Sequence, residues 1–300
     1  MPDIERIRQI RAESPALIGQ TLRERRRRSL LGEDGRLFII AADHPARGSL
    51  GVGSRGLAMG SRVALLERLA AALERPGVDG VLGTPDIIED LALLGVLDDK
   101  VVVGSMNRGG LQGASFEMDD RFTAYDVPAM VRDGIDLAKL LVRVNLEDAG
   151  TASVLEGTAA AVSAAVTARL PIMLEPFMSC WSGGRIVNDL SADAVIRSVA
   201  IAAGLGNSSA YTWLKLPVVD DMERVAEAAT MPTLLLGGDP TSGQEETFAS
   251  WESALALPGM RGLVVGRTLL YPHDDDVVRA VDIAASLVHG TVPARIPTSF

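Results

Sequence analysis

Only three of the 29 basic residues in this 300-residue chain are lysines, Lys100, Lys139 and Lys215; the rest are arginines. The bias sets each lysine apart, because an amine can act as a nucleophile whereas a guanidinium stays protonated. Lys215 lies in the apolar run Trp213-Leu214-Lys215-Leu216-Pro217. An ammonium there costs several kcal/mol unless it is paired or deprotonated. Desolvation and a nearby cation both favour the neutral amine that attacks carbonyls. Lys139, in Leu137-Ala138-Lys139-Leu140, is placed to be that cation. A snorkelling lysine, or a structural ion pair with Glu175, is the plainer alternative. Glu175 and Asp43 each end an apolar run, where a carboxylate can exchange protons with a substrate. The alternative for them is one salt bridge each, to Lys139 or Arg47.

Two further segments suit an anion. Gly237-Gly238 permits close backbone approach, and Ser242 opens the helix that follows. Gly266-Arg267 adds amides and a guanidinium that binds phosphate bidentately. Together they read as a phosphate cradle, with ordinary turns as the alternative. Of three histidines only His44 ends an apolar run. A catalytic zinc draws on two or three, so neither a metal nor a cofactor is expected. Cys180 has no histidine beside it and reads as a small packed residue.

These residues need a frame. Eight short apolar runs recur along the chain: 37–42, 80–83, 101–105, 137–144, 172–175, 212–216, 233–236 and 262–265. They suit strands buried on both faces of a parallel sheet. Helical patterns separate them. Thr84-Pro85 marks a helix start, and Asp220 with Glu223 and Ser242 with Glu245 resemble capping boxes. Eight strand–helix units predict an α/β chain folded as a (β/α)8 barrel. Residues 1–35 form a polar helical extension and residues 36–300 the barrel. The basic run Arg25–Arg28 reads as a solvated face or linker. A doubly wound sheet is the runner-up, but the first run ends in Asp43-His44-Pro45 with no G-x-G-x-x-G. In a barrel, chemistry sits at the C-terminal ends of the strands. Asp43, Glu175, Lys215, Gly237, Gly238, Gly266 and Arg267 fall there, with Arg47, Arg108 and Arg143 as further cations.

Composition narrows the partners. Acidic residues outnumber basic ones 39 to 29, for a net charge of −10, which argues against nucleic acid. No run of about 20 apolar residues predicts a membrane span, and the first 28 residues lack a secretory apolar core. A single cysteine suits a reducing, cytoplasmic setting.

Ala42-Asp43-His44 with Arg47-Gly48-Ser49-Leu50, Leu174-Glu175-Pro176, Leu214-Lys215-Leu216-Pro217, Gly237-Gly238 and Val265-Gly266-Arg267 resemble the class I aldolases of the tagatose-bisphosphate, archaeal fructose-bisphosphate and deoxyribose-phosphate type. The likeness runs from the first strand to the eighth and looks nearest to an actinobacterial branch linked to inositol breakdown. It implies a lyase in which Lys215 forms the Schiff base. Asp43 and Glu175 would handle protons, and Lys139 would match a strand 4 lysine. Gly238, Gly266 and Arg267 would hold phosphate. Where the archaeal enzymes carry an aromatic acid on strand 4, this chain has Arg143-Val144-Asn145. The surplus arginines, Arg47, Arg108 and Arg143, could match a second anionic group. The partner is then a phosphorylated sugar, such as 5-dehydro-2-deoxy-6-phosphogluconate, cleaved to dihydroxyacetone phosphate and malonate semialdehyde. A homo-oligomer is implied by the resemblance and by the frequency of symmetric assemblies. Two other readings use the same barrel without a reacting lysine: an isomerase or epimerase, and a silent sugar-phosphate sensor.

Overall fold

A computed structural model describes residues 3–108, 110–238 and 243–290. Eight parallel strands close into a barrel: β1 (Leu37–Ala41), β2 (Gly80–Gly83), β3 (Val101–Ser105), β4 (Leu137–Val144), β5 (Ile172–Ser182), β7 (Thr212–Pro217), β8 (Thr233–Leu236) and β9 (Met260–Val265). β6 (Arg185–Asn188) stands outside this ring. Each barrel strand pairs with its sequence neighbour in the ring, and β9 pairs back onto β1. The expected (β/α)8 architecture is the one found.

Alternation along each strand splits the side chains into two sets. Leu37, Ile39, Val101, Val103, Leu137, Met173, Trp213 and Leu234 fill the barrel interior as one cluster. Phe38, Ile40, Val102, Leu140, Leu174, Leu214 and Val265 face outward into a larger cluster shared with the surrounding helices. Lys139, Leu141 and Arg143 follow Leu137 at two-residue spacing, so β4 carries its interior row upward from apolar to charged. In register, Leu141 pairs with Glu175 and Lys215 with Leu234. The polar residues thus form a layer above the apolar floor.

Three local readings need correction. β5 does not stop at Glu175; it runs on to Ser182 and turns through Gly183-Gly184 into the antiparallel β6. Both glycines have positive φ, 57° and 75°, the backbone that two-residue hairpin turns require. Cys180, on this hairpin, is exposed rather than packed. At the helix Met222–Glu227, Asp221 takes the cap position at φ 63°, with no side-chain cap bond. Gly243 caps the helix Gln244–Leu255, while Asp239 and Ser242 lie outside the described residues.

The N-terminal helices Ile4–Glu13 and Ala16–Glu24 lead into Arg25–Arg28. That basic run is a solvated face only in part: Arg26 and Arg27 are exposed, but each of the four arginines is ion-paired. Arg25 is buried, pairs with Asp136 at 2.7 Å and donates to the Gly134 and Lys100 carbonyls. Arg27 pairs with the same carboxylate and Arg28 with Asp79. Asp79, Lys100 and Asp136 immediately precede β2, β3 and β4. Leu30 and Leu31 pack beneath the interior cluster. The segment therefore seals the N-terminal mouth of the barrel. Among the described residues, no helix is long and apolar enough to cross a membrane.

Candidate active site

The other mouth is open. A cavity of about 590 Å³ sits over the C-terminal ends of the strands. Lys215 and Glu175 form its floor, 3% and 7% exposed. Glu175 lies between two amines: its Oε1 is 2.8 Å from Lys215 Nζ and its Oε2 meets Lys139 Nζ. Lys139 also reaches Asp43 Oδ2 at 3.2 Å. Asp43 is gripped in turn by Arg108 and by the Ser105 hydroxyl at 3.2 Å. Strand alternation places these groups together, since each sits on an inward-facing position of its strand or just beyond its end.

Lys139 and Asp43 are fully buried and do not line the cavity. They lie beneath it and reach the floor through Glu175. Asp43 pairs with Arg108 and Lys139 rather than with Arg47. Electrostatics follow from this packing. Burial pushes the Glu175 carboxyl up, but Lys139, Lys215 and Arg108 outweigh it and hold it at about 2. Asp43 is likewise held well below the usual carboxylate range, because Arg108 and Lys139 outweigh its burial. Burial and the Arg108 guanidinium push the Lys139 amine down to about 8 against the pull of Asp43 and Glu175.

The cavity wall carries Gly237, Gly238, Gly266, Arg267, Arg47 and Arg143. Gly266 follows β9, where a Cβ would overlap the Ala41 carbonyl. Only glycine lets the backbone lie against β1 there. Gly238 has φ +68° and open space around its Cα. Arg143 lines the cavity, yet its guanidinium is committed to Asp120, at 2.6 and 2.9 Å, and to the Glu117 carbonyl. Arg47 lies 3.5 Å from the Glu117 carboxylate. Burial and the nearby Arg143 and Arg108 push its guanidinium down to about 10.

Several lining residues escape a reading of the sequence. Ile186, Val187, Asn188 and Leu190 come from the hairpin arm and the turn after it, and Thr247, Ser250 and Trp251 from the helix Gln244–Leu255. The Gly183-Gly184 pair between short alternating segments is the signal for the hairpin. Glu117 and Asp120, which order the arginines, sit on the long connection after β3 and carry no such signal. Among the described residues, no group of three or more His, Cys, Asp or Glu is placed to hold a metal ion.

Residues 35–285 match the family described as Cgl0159-like. The crystal structure of Cgl0159 from Corynebacterium glutamicum is 68% identical, with a TM-score of 0.94, covering 96% of this chain and 97% of that one. An archaeal fructose 1,6-bisphosphate aldolase is 20% identical, with a TM-score of 0.65 over 91% of this chain and all of the other (100%). An archaeal fructose-1,6-bisphosphate aldolase with its catalytic Lys covalently bound to the carbinolamine intermediate is 21% identical, with a TM-score of 0.62 over 91% and 100%. At these identities what the two aldolases share with this chain is the barrel fold. No curated protein matches the sequence.

Proposed function

The chain belongs to the Cgl0159-like family, and we propose that it is a class I aldolase, a lyase that cleaves a phosphorylated keto-sugar or keto-sugar acid through a Schiff base on Lys215. The observation that carries the reading is a buried lysine on the floor of a polar cavity, with Gly266 and Arg267 on the wall of the same cavity. An amine in that position meets a ketone whose phosphate rests on Gly238, Gly266 and Arg267.

Each neighbour then has a task. Glu175 holds Lys215 Nζ at 2.8 Å and orients it toward the cavity. Lys139 shares the Glu175 carboxylate with Lys215 and places a second positive charge beneath the reacting amine. Asp43 fixes Lys139 from below and is itself held by Arg108 at the edge of the cavity. The ketone carbon bonds to Lys215 Nζ, water leaves, and the iminium draws the electrons of the breaking carbon–carbon bond. Arg47, with its Nε unpartnered, is the arginine for a second anionic group, and Arg143 positions Glu117 beside it. A phosphate at one end and a carboxylate at the other describe 5-dehydro-2-deoxy-6-phosphogluconate, which cleaves to dihydroxyacetone phosphate and malonate semialdehyde.

Borohydride trapping tests this. Reduction in the presence of dihydroxyacetone phosphate is expected to leave a permanent adduct that maps to Lys215 and to neither Lys100 nor Lys139. An adduct on Lys139, or turnover of a keto-sugar phosphate with no adduct anywhere, would replace the reading with another lysine or with a non-covalent isomerase.

A further inference from the structure

Class I cleavage needs more than an electron sink. A base must take the proton of the hydroxyl β to the ketone, and an acid must later give a proton to the α-carbon. Among the described residues lining the cavity, the ionisable side chains other than arginine are Lys215, Glu175 and His44; no tyrosine, cysteine or aspartate lines it. Lys215 is consumed as the iminium nitrogen. Glu175 has both carboxylate oxygens committed to lysine amines. His44 remains. It lies just past the end of β1, at the start of the short 3-10 turn His44–Arg47. Its Nδ1 is buried without a hydrogen-bond partner, 3.8 Å from Asp43 Oδ1, which is also unpartnered.

We propose that His44 is the catalytic proton carrier of this site, moving one proton from the substrate's β-hydroxyl to its α-carbon. The proposal rests on the class I reading. From the iminium on Lys215, a neutral ring nitrogen of His44 takes the hydroxyl proton. The O–H pair becomes the new carbonyl π bond and the carbon–carbon bond breaks. Its electrons form the enamine double bond, while the iminium π pair moves to nitrogen. The aldehyde leaves, and the imidazolium returns its proton to the enamine carbon. The iminium re-forms, and the water released at its first formation hydrolyses it. No proton is gained or lost overall. The Asp43 carboxylate beside Nδ1 stabilises the intervening imidazolium.

The charges facing His44 link this step to substrate. Burial lowers the imidazole well below its usual value, Asp43 opposes, and Arg267, Arg108 and Lys215 lower it further. The free site therefore keeps His44 neutral. A phosphate dianion resting on Arg267 offsets one of those cations and raises the basicity of the ring when substrate is bound. The acid limb of the pH profile should then lie lower in kcat/KM, which reports the free enzyme, than in kcat, which reports the complex.

The test combines His44→Gln, His44→Gly, borohydride trapping and deuterium exchange. With dihydroxyacetone phosphate, His44→Gln should still yield the Lys215 adduct, showing an intact fold and nucleophile. It should lose cleavage by about 10²–10⁴-fold, the usual worth of a general acid–base. It should lose deuterium incorporation at the hydroxymethyl carbon of dihydroxyacetone phosphate to a similar extent, together with the acid limb. Added imidazole should restore part of the activity to His44→Gly. Cleavage by His44→Gln within about threefold of the parent overturns the assignment. So does loss of adduct and cleavage together, which makes His44 a support for the lysine. If the parent protein itself forms no adduct, the class I reading fails and this assignment falls with it.

Discussion

The two mouths of the barrel are built from the same residue types and behave in opposite ways. At the N-terminal mouth, Arg25, Arg27 and Arg28 meet Asp136 and Asp79, and those carboxylates also accept from the Val102 and Phe38 amides. His289 joins Asp34 and Asp79 and contacts the Gly77 carbonyl. The charges answer one another there, and Leu30 and Leu31 close the floor. At the C-terminal mouth, Lys139, Lys215, Arg47, Arg108, Arg143 and Arg267 gather around four carboxylates, Asp43, Glu117, Asp120 and Glu175. Among the described residues, Arg47, Arg108, Arg143, Arg267 and Lys215 all border the cavity, in a chain whose net charge is −10. A closed set of ion pairs fixes structure, whereas cations that border an open cavity are set up to receive an anion.

The contrast makes a double dissociation testable. The largest effect belongs at the open mouth. Lys215→Arg should bring cleavage down to background, since a guanidinium forms no iminium, while far-UV circular dichroism and the melting profile stay close to those of the parent. Measurable turnover would return the site to non-covalent chemistry. Next comes the sealed mouth. Asp136→Ala leaves the buried Arg25 without its carboxylate, and removing one partner of such a pair costs about 3–5 kcal/mol. Denaturant unfolding should register that loss while kcat of the folded fraction is unchanged. A fall in kcat would mean the two ends are coupled.

A smaller effect sharpens the anion assignment. Arg267→Ala should weaken a phosphorylated substrate by about 1.5–3 kcal/mol, the scale of a charge-assisted contact, and barely touch its dephosphorylated analogue. Equal losses on both would make Arg267 part of the scaffold. The smallest effect is a pH dependence at the sealed mouth. Hydrogen bonding to Asp79, ahead of the bond to Asp34, raises His289 from 6.5 to about 9 despite its burial. The folded chain thus holds this proton more tightly than the unfolded one. Its contribution to stability is full below about pH 6.5 and is lost as pH rises through 9. Melting temperature should decline across that window, and His289→Gln should flatten the decline. An unchanged slope in the variant would place the pH dependence elsewhere.

Much of this frame was legible in advance because strand signals are local. Seven of the eight barrel strands fall within a residue or two of the apolar runs, since a buried parallel strand must be continuous and apolar. The exception is β5, which runs on past the barrel into a hairpin arm whose last residues, Cys180, Trp181 and Ser182, are exposed and have no apolar run to announce them. The polar ends of the strands were legible for the same reason, as breaks in those runs. What the arginines bind was not. Arg25–Arg28 looked like solvated charge because Asp136, their main carboxylate, is more than 100 positions away, and no spacing rule links the two.

By itself, then, the sequence determined that the chain folds as eight alternating units and that Lys139, Lys215 and Glu175 lie on inward-facing rows. The two-residue strand period sets that parity within a few residues of each group. Only the tertiary structure decided that Glu175 bridges both lysines, that Asp43 lies beneath the cavity rather than in it, and that Arg143 is committed while His44 is not. Those pairings depend on ring closure and on the shape of the connection after β3, which bring together residues separated by up to 96 positions. Parity belongs to the strand, but partners belong to the closed barrel.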